Sequence, residues 1–237
     1  MKAFIIAGQS NALGISPVAG FEGKDYTYPE IMMYQSCNVP VPNGDCLKPL
    51  APGFGADATK FGLELGLAEK LYPVLGKMLF IKYASDGTSL YDRWNAAPRG
   101  VDYSALLETV KKACTAVTEP VELEALFWMQ GSNDASFEEQ ANVYYENLKT
   151  FVEKIGVDLG KEKLPVVIGQ INPNNKVLRF VKQVNIAQRR VCEEKSYAYF
   201  TDTSDISDLI DNYHYTAACE LELGRRMAEK YLTEIKK

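Results

Sequence analysis

The sequence predicts an α/β fold with a mainly parallel sheet, on three observations. Short apolar runs bounded by turn residues alternate along the chain with longer segments of helical periodicity. The first of those runs, Phe4-Ile5-Ile6-Ala7, has no polar alternation and breaks at Gly8, as a strand buried on both faces does. A length of 237 residues, 46% hydrophobic and 24% charged, suits one domain with a full core. No internal repeat and no Pro/Ser-rich linker divides residues 1–237.

The elements follow in order. After the opening strand, residues 15–57 are dense in Pro and Gly and predict loops, with Ile31–Tyr34 as a short strand among them. Phe61, Leu65, Ala68 and Leu71 fall on one face of a helix that starts near Thr59 and ends at Pro73 and Gly76. Met78–Ala84 is a second strand. A helix over 102–117 presents Tyr103, Leu106, Val110, Ala113 and Val117, and a third strand covers 123–129. Ser136-x-x-Glu139 has the form of a capping box. It opens a helix with Phe137, Ala141, Tyr144, Leu148, Phe151 and Ile155 inward and Gly156 at its end. Pro165–Gly169 is a fourth strand, 176–195 a helix and Tyr197–Phe200 a fifth strand. A polar loop over 201–213 leads to a last helix with Leu221, Ala228, Tyr231 and Ile235 aligned.

Composition excludes several classes of function. A net charge of −5 is no basic footprint, so no nucleic-acid partner is expected. No apolar run approaches the roughly 18 residues of a membrane span, so no membrane partner is expected either. Residues 1–14 lack the basic start and unbroken apolar run of a secretory leader. A chain that begins at Met1 is expected in the cytoplasm, or outside it if a leader has been removed. The 5 cysteines are odd in number and scattered, without a C-x-x-C pair, which argues against a zinc knuckle or a disulfide scaffold. A Cys37–Cys46 bridge stays open. The single histidine, His214, rules out a multi-histidine metal site, and any imidazole chemistry must use it. No metal or cofactor is called for.

Right-handed crossovers put the strand carboxyl ends on one edge of the sheet. Four loops meet there, carrying Ser10, Gly87, Gly131 with Asn133, and Asp211 with His214. Together they hold the parts of acyl transfer. A serine hydroxyl needs a neighbouring base, and His214 is the one available. Asp211, three residues earlier, can hold the imidazole tautomer and stabilise the imidazolium. The Ser10 and Gly87 N–H groups and the Asn133 amide can serve as donors to an oxyanion. Ser10 equally suits a helix N-cap, Asp211 the N-cap of the last helix, and Asn133 an Asx-turn. Asp202, Asp205 and Asp208 are rivals for the orienting role. A histidine base also predicts activity that falls in acid.

Gly8-Gln9-Ser10-Asn11, Gly87-Thr88-Ser89-Leu90, Gly131-x-Asn133-Asp134 and Asp211-x-x-His214 resemble, in order, the four sequence blocks of the SGNH hydrolases. The resemblance spans residue 4 to about residue 216. It is greatest to the carbohydrate-acetylesterase branch, which holds sialate O-acetylesterases and related acetylxylan esterases. It implies a three-layer α/β/α fold around a flavodoxin-like sheet of five parallel strands. It further implies a metal-free serine esterase that removes short acyl groups, most often acetyl, from sugar hydroxyls. An esterase or thioesterase on a non-sugar ester, or a catalytically silent carbohydrate-binding protein, are the alternatives. Two departures stand out. The branch's Gly-Glu-x-Asp is here Gly131-Ser132-Asn133-Asp134, which leaves Asn133 and Gln130 as rivals for the third oxyanion donor. The branch's Gly-Gly is Asp86-Gly87, which bears on the shape of the acyl pocket.

Gln9, Arg93 and Trp94 are the candidate substrate contacts. Aromatic rings pack on sugar faces, and an arginine can hold a carboxylate such as that of a sialic acid. Trp94 as ordinary packing is the even alternative. Trp128, inside an apolar strand, is expected in the core, and Asp134 in a structural role. The oligomeric state is not set by the sequence.

Overall fold

The computed structural model describes residues 1–21 and 23–236. The strands are β1 (Lys2–Gly8), β2 (Ser16–Pro17), β3 (Tyr28–Cys37), β4 (Leu47–Leu50), β5 (Lys60–Phe61), β6 (Met78–Ala84), β7 (Glu122–Met129), β8 (Val166–Gly169) and β9 (Ala198–Thr201). The helices are α1 (Ser10–Leu13), α2 (Leu63–Leu75), α3 (Val101–Ala116), α4 (Glu138–Asp158), α5 (Val181–Glu194) and α6 (Ala217–Lys230). Seven strands form the main sheet in the order β4-β3-β6-β1-β7-β8-β9, and β2 pairs with β5 apart from it.

β1 is central because its residues leave no face for water. Phe4, Ile5 and Ile6 are fully buried, each contributing about 1.5–3 kcal/mol by removal from water. Both its neighbours run parallel to it, with Phe4 beside Phe80 of β6 and Ala125 of β7. The chain winds first to one side of β1 and then to the other, so the direction of winding reverses at its carboxyl end. Ligands of open α/β sheets bind at such a point. One face of the sheet carries α2 and α6, which cross closely at Gly66 and Gly224. A Cβ on Gly66 would meet the Leu221 carbonyl oxygen at 2.2 Å. The other face carries α3, α4 and α5, with Trp128 packed against Phe151 of α4.

The predicted fold class holds, with differences in detail. The sheet has seven strands rather than five. β3 is a ten-residue strand parallel to β6, where only 31–34 were expected, and β4 adds an antiparallel edge. Pro49 is accommodated on that edge, where no further strand needs its missing N–H. The capping box does not form. Ser136 ends a short 3₁₀ turn and its hydroxyl donates to the Ser132 carbonyl, while α4 starts at Glu138. Phe137, just outside the helix in extended conformation, is half exposed rather than inward. Gly156 lies inside α4, and Pro73 inside α2. The N-cap of α6 is Thr216, not Asp211. All five cysteines are free, Cys37 and Cys46 included.

One polar cluster sits in the core. Lys82 of β6 is fully buried, and its ammonium donates to Glu64 at 2.8 Å and to the Phe54 carbonyl at 2.7 Å. Glu64 also accepts from the Gly62 N–H. Glu220 of α6 faces this pair, fully buried and with neither carboxyl oxygen hydrogen-bonded. Burial, with Glu64 nearby, pushes its carboxyl well above the usual range.

Candidate active site

The sheet's carboxyl edge brings Ser10, Gly87, Asn133 and His214 onto one cavity of about 320 Å³. Ser10 opens α1 directly after β1. By that position the Ser10 and Asn11 N–H groups have no partner within the helix. Gly87 follows β6 with φ +64°, a backbone region that a side chain strains, and only open space lies where its Cβ would be. The Asn133 amide donates to the Gly87 carbonyl at 2.8 Å, which joins the two candidate oxyanion loops and leaves one amide hydrogen over.

Asp211 and His214 form the exposed side. His214 Nδ1 lies 2.7 Å from Asp211 Oδ2, which leaves Nε2 as the ring nitrogen without this bond. The other Asp211 oxygen accepts from the Tyr213 and His214 N–H groups, fixing the turn that aims the pair. Burial alone would raise the Asp211 carboxyl. The hydrogen bonds from the His214 ring and the two N–H groups outweigh it and hold the carboxyl below its usual range. Asp205, a rival for the orienting role, is instead paired with Arg226.

Behind the cavity the loops are braced. Gln9 is buried, and its side-chain oxygen accepts from the N–H groups of Gly131 and Ser132, both at 3.0 Å, and of Asn133 at 3.4 Å. Asp134, fully buried, accepts from the Leu90 and Tyr91 N–H groups and from the Gln130 amide. Burial pushes its carboxyl up to about 6 despite these bonds. Asp134 is thus structural, as its place in the block suggested.

Three of the predicted site residues sit elsewhere. Gln130 is fully buried, and its amide is spent on Asp134 and the Thr88 carbonyl, so it does not line the cavity as a rival donor. Trp94 cannot stack on a sugar, because it is fully buried against Trp128 and Tyr83 and donates to the Thr88 hydroxyl. The Arg93 guanidinium is committed to Asp102 through two bonds of 2.7 and 2.8 Å and does not line the cavity. Gln9 lines the cavity, yet its oxygen is occupied by the three loop amides. Trp128 is in the core, as expected.

Sequence reasoning missed Asn11, whose side chain bonds both the Tyr213 carbonyl and the Tyr215 N–H and so spans from α1 to the histidine loop. Its place beside Ser10 in the first block was the available signal. It also missed Phe137 and Tyr213 as cavity walls, 51% and 45% exposed. A larger hollow of about 840 Å³ lies between α3 and the end of α4, and none of the candidate site residues lines it. Among the described residues no helix is long and apolar enough to cross a membrane.

A mostly parallel sheet with helices on both faces, with Ser10 and His214 lining a cavity at its switch point, is an α/β fold with a candidate site where such folds bind ligands. Residues 1–233 match the family described as carbohydrate esterase, sialic acid-specific acetylesterase, and the chain belongs to that family of carboxylic ester hydrolases. Among solved structures, an Arabidopsis thaliana protein shares the fold with TM-score 0.80 at 18% identity, over 98% of each chain. NanS shares it with TM-score 0.75 at 16% identity, over 98% of this chain and 96% of that one. A carbohydrate acetylesterase from Xanthomonas citri gives TM-score 0.74 at 14% identity, over 99% of this chain and 56% of that one. No match was found among curated proteins.

Proposed function

We propose that the protein removes short acyl groups, above all acetyl, from carbohydrate hydroxyls through a Ser10–His214–Asp211 triad. The observation that carries this reading is the 2.7 Å contact between His214 Nδ1 and Asp211, on the same cavity as Ser10. Family membership, and the Xanthomonas citri carbohydrate acetylesterase among its structural neighbours, support the acyl group.

In this mechanism the Ser10 hydroxyl oxygen bonds to the ester carbonyl carbon as its proton passes to His214 Nε2. Asp211 holds the ring and stabilises the imidazolium. The Ser10 and Gly87 N–H groups and the free hydrogen of the Asn133 amide face the oxyanion. The carbon–oxygen bond to the sugar then breaks, and His214 returns its proton to the leaving alkoxide. A water, deprotonated by the same imidazole, attacks the acyl-enzyme and frees the acid and Ser10.

The test is turnover of p-nitrophenyl acetate and p-nitrophenyl octanoate by the wild type and by Ser10→Ala. Acetate turnover, weaker on octanoate and lost in the variant, is the expected result. Octanoate turnover equal to or above acetate would favour a non-sugar, longer-chain ester. Turnover of neither ester through Ser10 would sink the general esterase reading.

A further inference from the structure

The arm that carries Asp211 and His214 has little core of its own. Residues 202–216, between β9 and α6, form no helix or strand apart from a bridge between Leu209 and Tyr215. The buried apolar side chains along it are Ile206 and Tyr215. Its tip closes on itself. The Ile210 N–H donates to the His214 carbonyl at 2.8 Å, and the Thr216 N–H to the Asp208 carbonyl at 3.0 Å. Those bonds shape the tip but do not place it relative to Ser10. Placement needs contacts to the rest of the molecule.

The segment that follows β8 supplies a row of them. The Gln170 side-chain oxygen accepts from the Thr203 N–H at 3.1 Å. Asn174 donates to the Ser204 carbonyl at 2.8 Å, Asn172 to the Ser207 carbonyl at 3.4 Å, and Asn175 to the Asn212 carbonyl at 2.8 Å. The last of these bonds falls on the residue next to Asp211. Gln170, Asn172 and Asn175 are buried, and Asn174 is exposed.

An amide suits this task because one planar group holds both a donor and an acceptor. The Asn172 oxygen accepts from the Asn174 N–H at 2.9 Å, and the Asn175 oxygen from the Val177 and Leu178 N–H groups at 2.9 and 3.1 Å. The acceptor ends thus close the turns of their own loop, as asparagine does in Asx-turns. The donor ends stay free to reach the arm, and Pro173 stiffens the chain between Asn172 and Asn174. From the opposite side the arm is tied by Asn11 and by the Ser16 hydroxyl, which donates to the Tyr215 carbonyl at 2.8 Å.

We infer that Asn172, Asn174 and Asn175 are positioning residues, which hold His214 in reach of Ser10 through the backbone of the arm. The inference rests on the Ser10–His214–Asp211 reading above and deepens it. None of the three asparagines lines the cavity, so they act through the arm and not on the substrate.

The test measures kcat and KM for p-nitrophenyl acetate on the full chain carrying Asn175→Ser, Asn174→Ala, or both together with Asn172→Ala. Serine at 175 keeps a short acceptor for the loop's own turn but loses the donor's reach, so it isolates the bond to the arm. Asn175→Ser is expected to lower kcat about two- to tenfold, the worth of one hydrogen bond, with KM within about twofold. The triple variant should approach a 10²-fold loss, which a misplacement of about 1 Å can cause. In a His214→Ala background the same substitutions should leave the residual rate, sustained by the oxyanion donors and binding, within about twofold.

Equal losses with and without His214 would overturn the inference, because the loop would then support the fold or the oxyanion side in general. Unchanged kcat in a triple variant with native circular dichroism would overturn it as well. So would a rise in KM at unchanged kcat, which would make the loop a substrate wall. If Asn175→Ser fails to fold, Asn174→Ala carries the same comparison at the exposed end of the row. Wild-type turnover that Ser10→Ala or His214→Ala leaves unchanged would place the fault in the triad reading and overturn the inference with it.

Discussion

Behind Ser10 and Gly87 the loops are cross-braced by buried side chains that each gather several amides, whereas the exposed Asp211–His214 arm is held across its gap by a few separate bonds from the buried Asn11 and Asn175. On the first side Gln9 gathers three loop amides and Asp134 two more. On the second, Asn11 contributes bonds of 3.3 and 3.4 Å, and Asn175 one of 2.8 Å to the Asn212 carbonyl. The difference teaches where rigidity is needed. Donors to a developing oxyanion must be in place before the charge appears, because their reorganisation would raise the barrier. In the proposed mechanism the proton shuttle needs only one ring nitrogen within reach of the hydroxyl, a placement that the Asp211 contact would set locally.

The largest effect should come from breaking the arm's own pair. Asp211→Asn is expected to lower kcat by up to roughly 10⁴-fold with the fold intact by circular dichroism. A variant within about tenfold of wild type would mean the arm works without this carboxylate. On the braced side, Asn133→Ala should cost about 10²–10³ in kcat. Unchanged turnover would remove Asn133 from the oxyanion role and leave it a brace for Gly87.

The brace itself carries a signature in pH. The folded-state value of Asp134, about 6, lies above the ordinary carboxyl value of an unfolded chain. Between about pH 4 and pH 6 the folded state therefore binds more protons than the unfolded state, and this group's contribution to stability declines as pH rises through that window. The loss is on the order of 3 kcal/mol from pH 4 to pH 7. Denaturation of wild type and Asp134→Asn across pH 4–7 should show it as a gap that changes with pH. Parallel profiles would mean that Asp134 titrates normally. The smallest effect is expected at the tether. Asn11→Ala removes hydrogen bonds worth roughly 0.5–1.5 kcal/mol each and should slow turnover a few-fold. A loss as large as that of Asp211→Asn would show that the arm depends on its anchor as much as the loops do on theirs.

Much of the site was legible because its parts lie in short blocks right after strands, where local sequence decides the geometry. Ser10, Gly87, Asn133 and His214 line one cavity, and Asp211 is bonded to the His214 ring from outside it. What failed depended on partners distant in sequence or on helical phase. Arg93 is drawn away by Asp102, a buried acid whose pairing no spacing reveals. Trp94 lies close to Gly87 in the chain but fills the core beneath it. Phe137 was phased with α4 although it precedes the helix, where the periodicity does not apply. β3 was masked by the prolines around it, since Pro29 falls in the overhang before the pairing with β6 begins at Ile31.

The buried Lys82–Glu64–Glu220 cluster has a consequence for how the chain assembles. Its three members come from β6, α2 and α6, the last more than a hundred residues from the others. A partly formed core that included Lys82 without Glu64 would hold an uncompensated charge, at a cost of several kcal/mol. The cluster thus acts as a checkpoint that penalises halfway states and makes these elements stand or fall together. Native-state hydrogen exchange should find β6, α2 and α6 opening as one unit, and separate opening of α6 would refute the coupling.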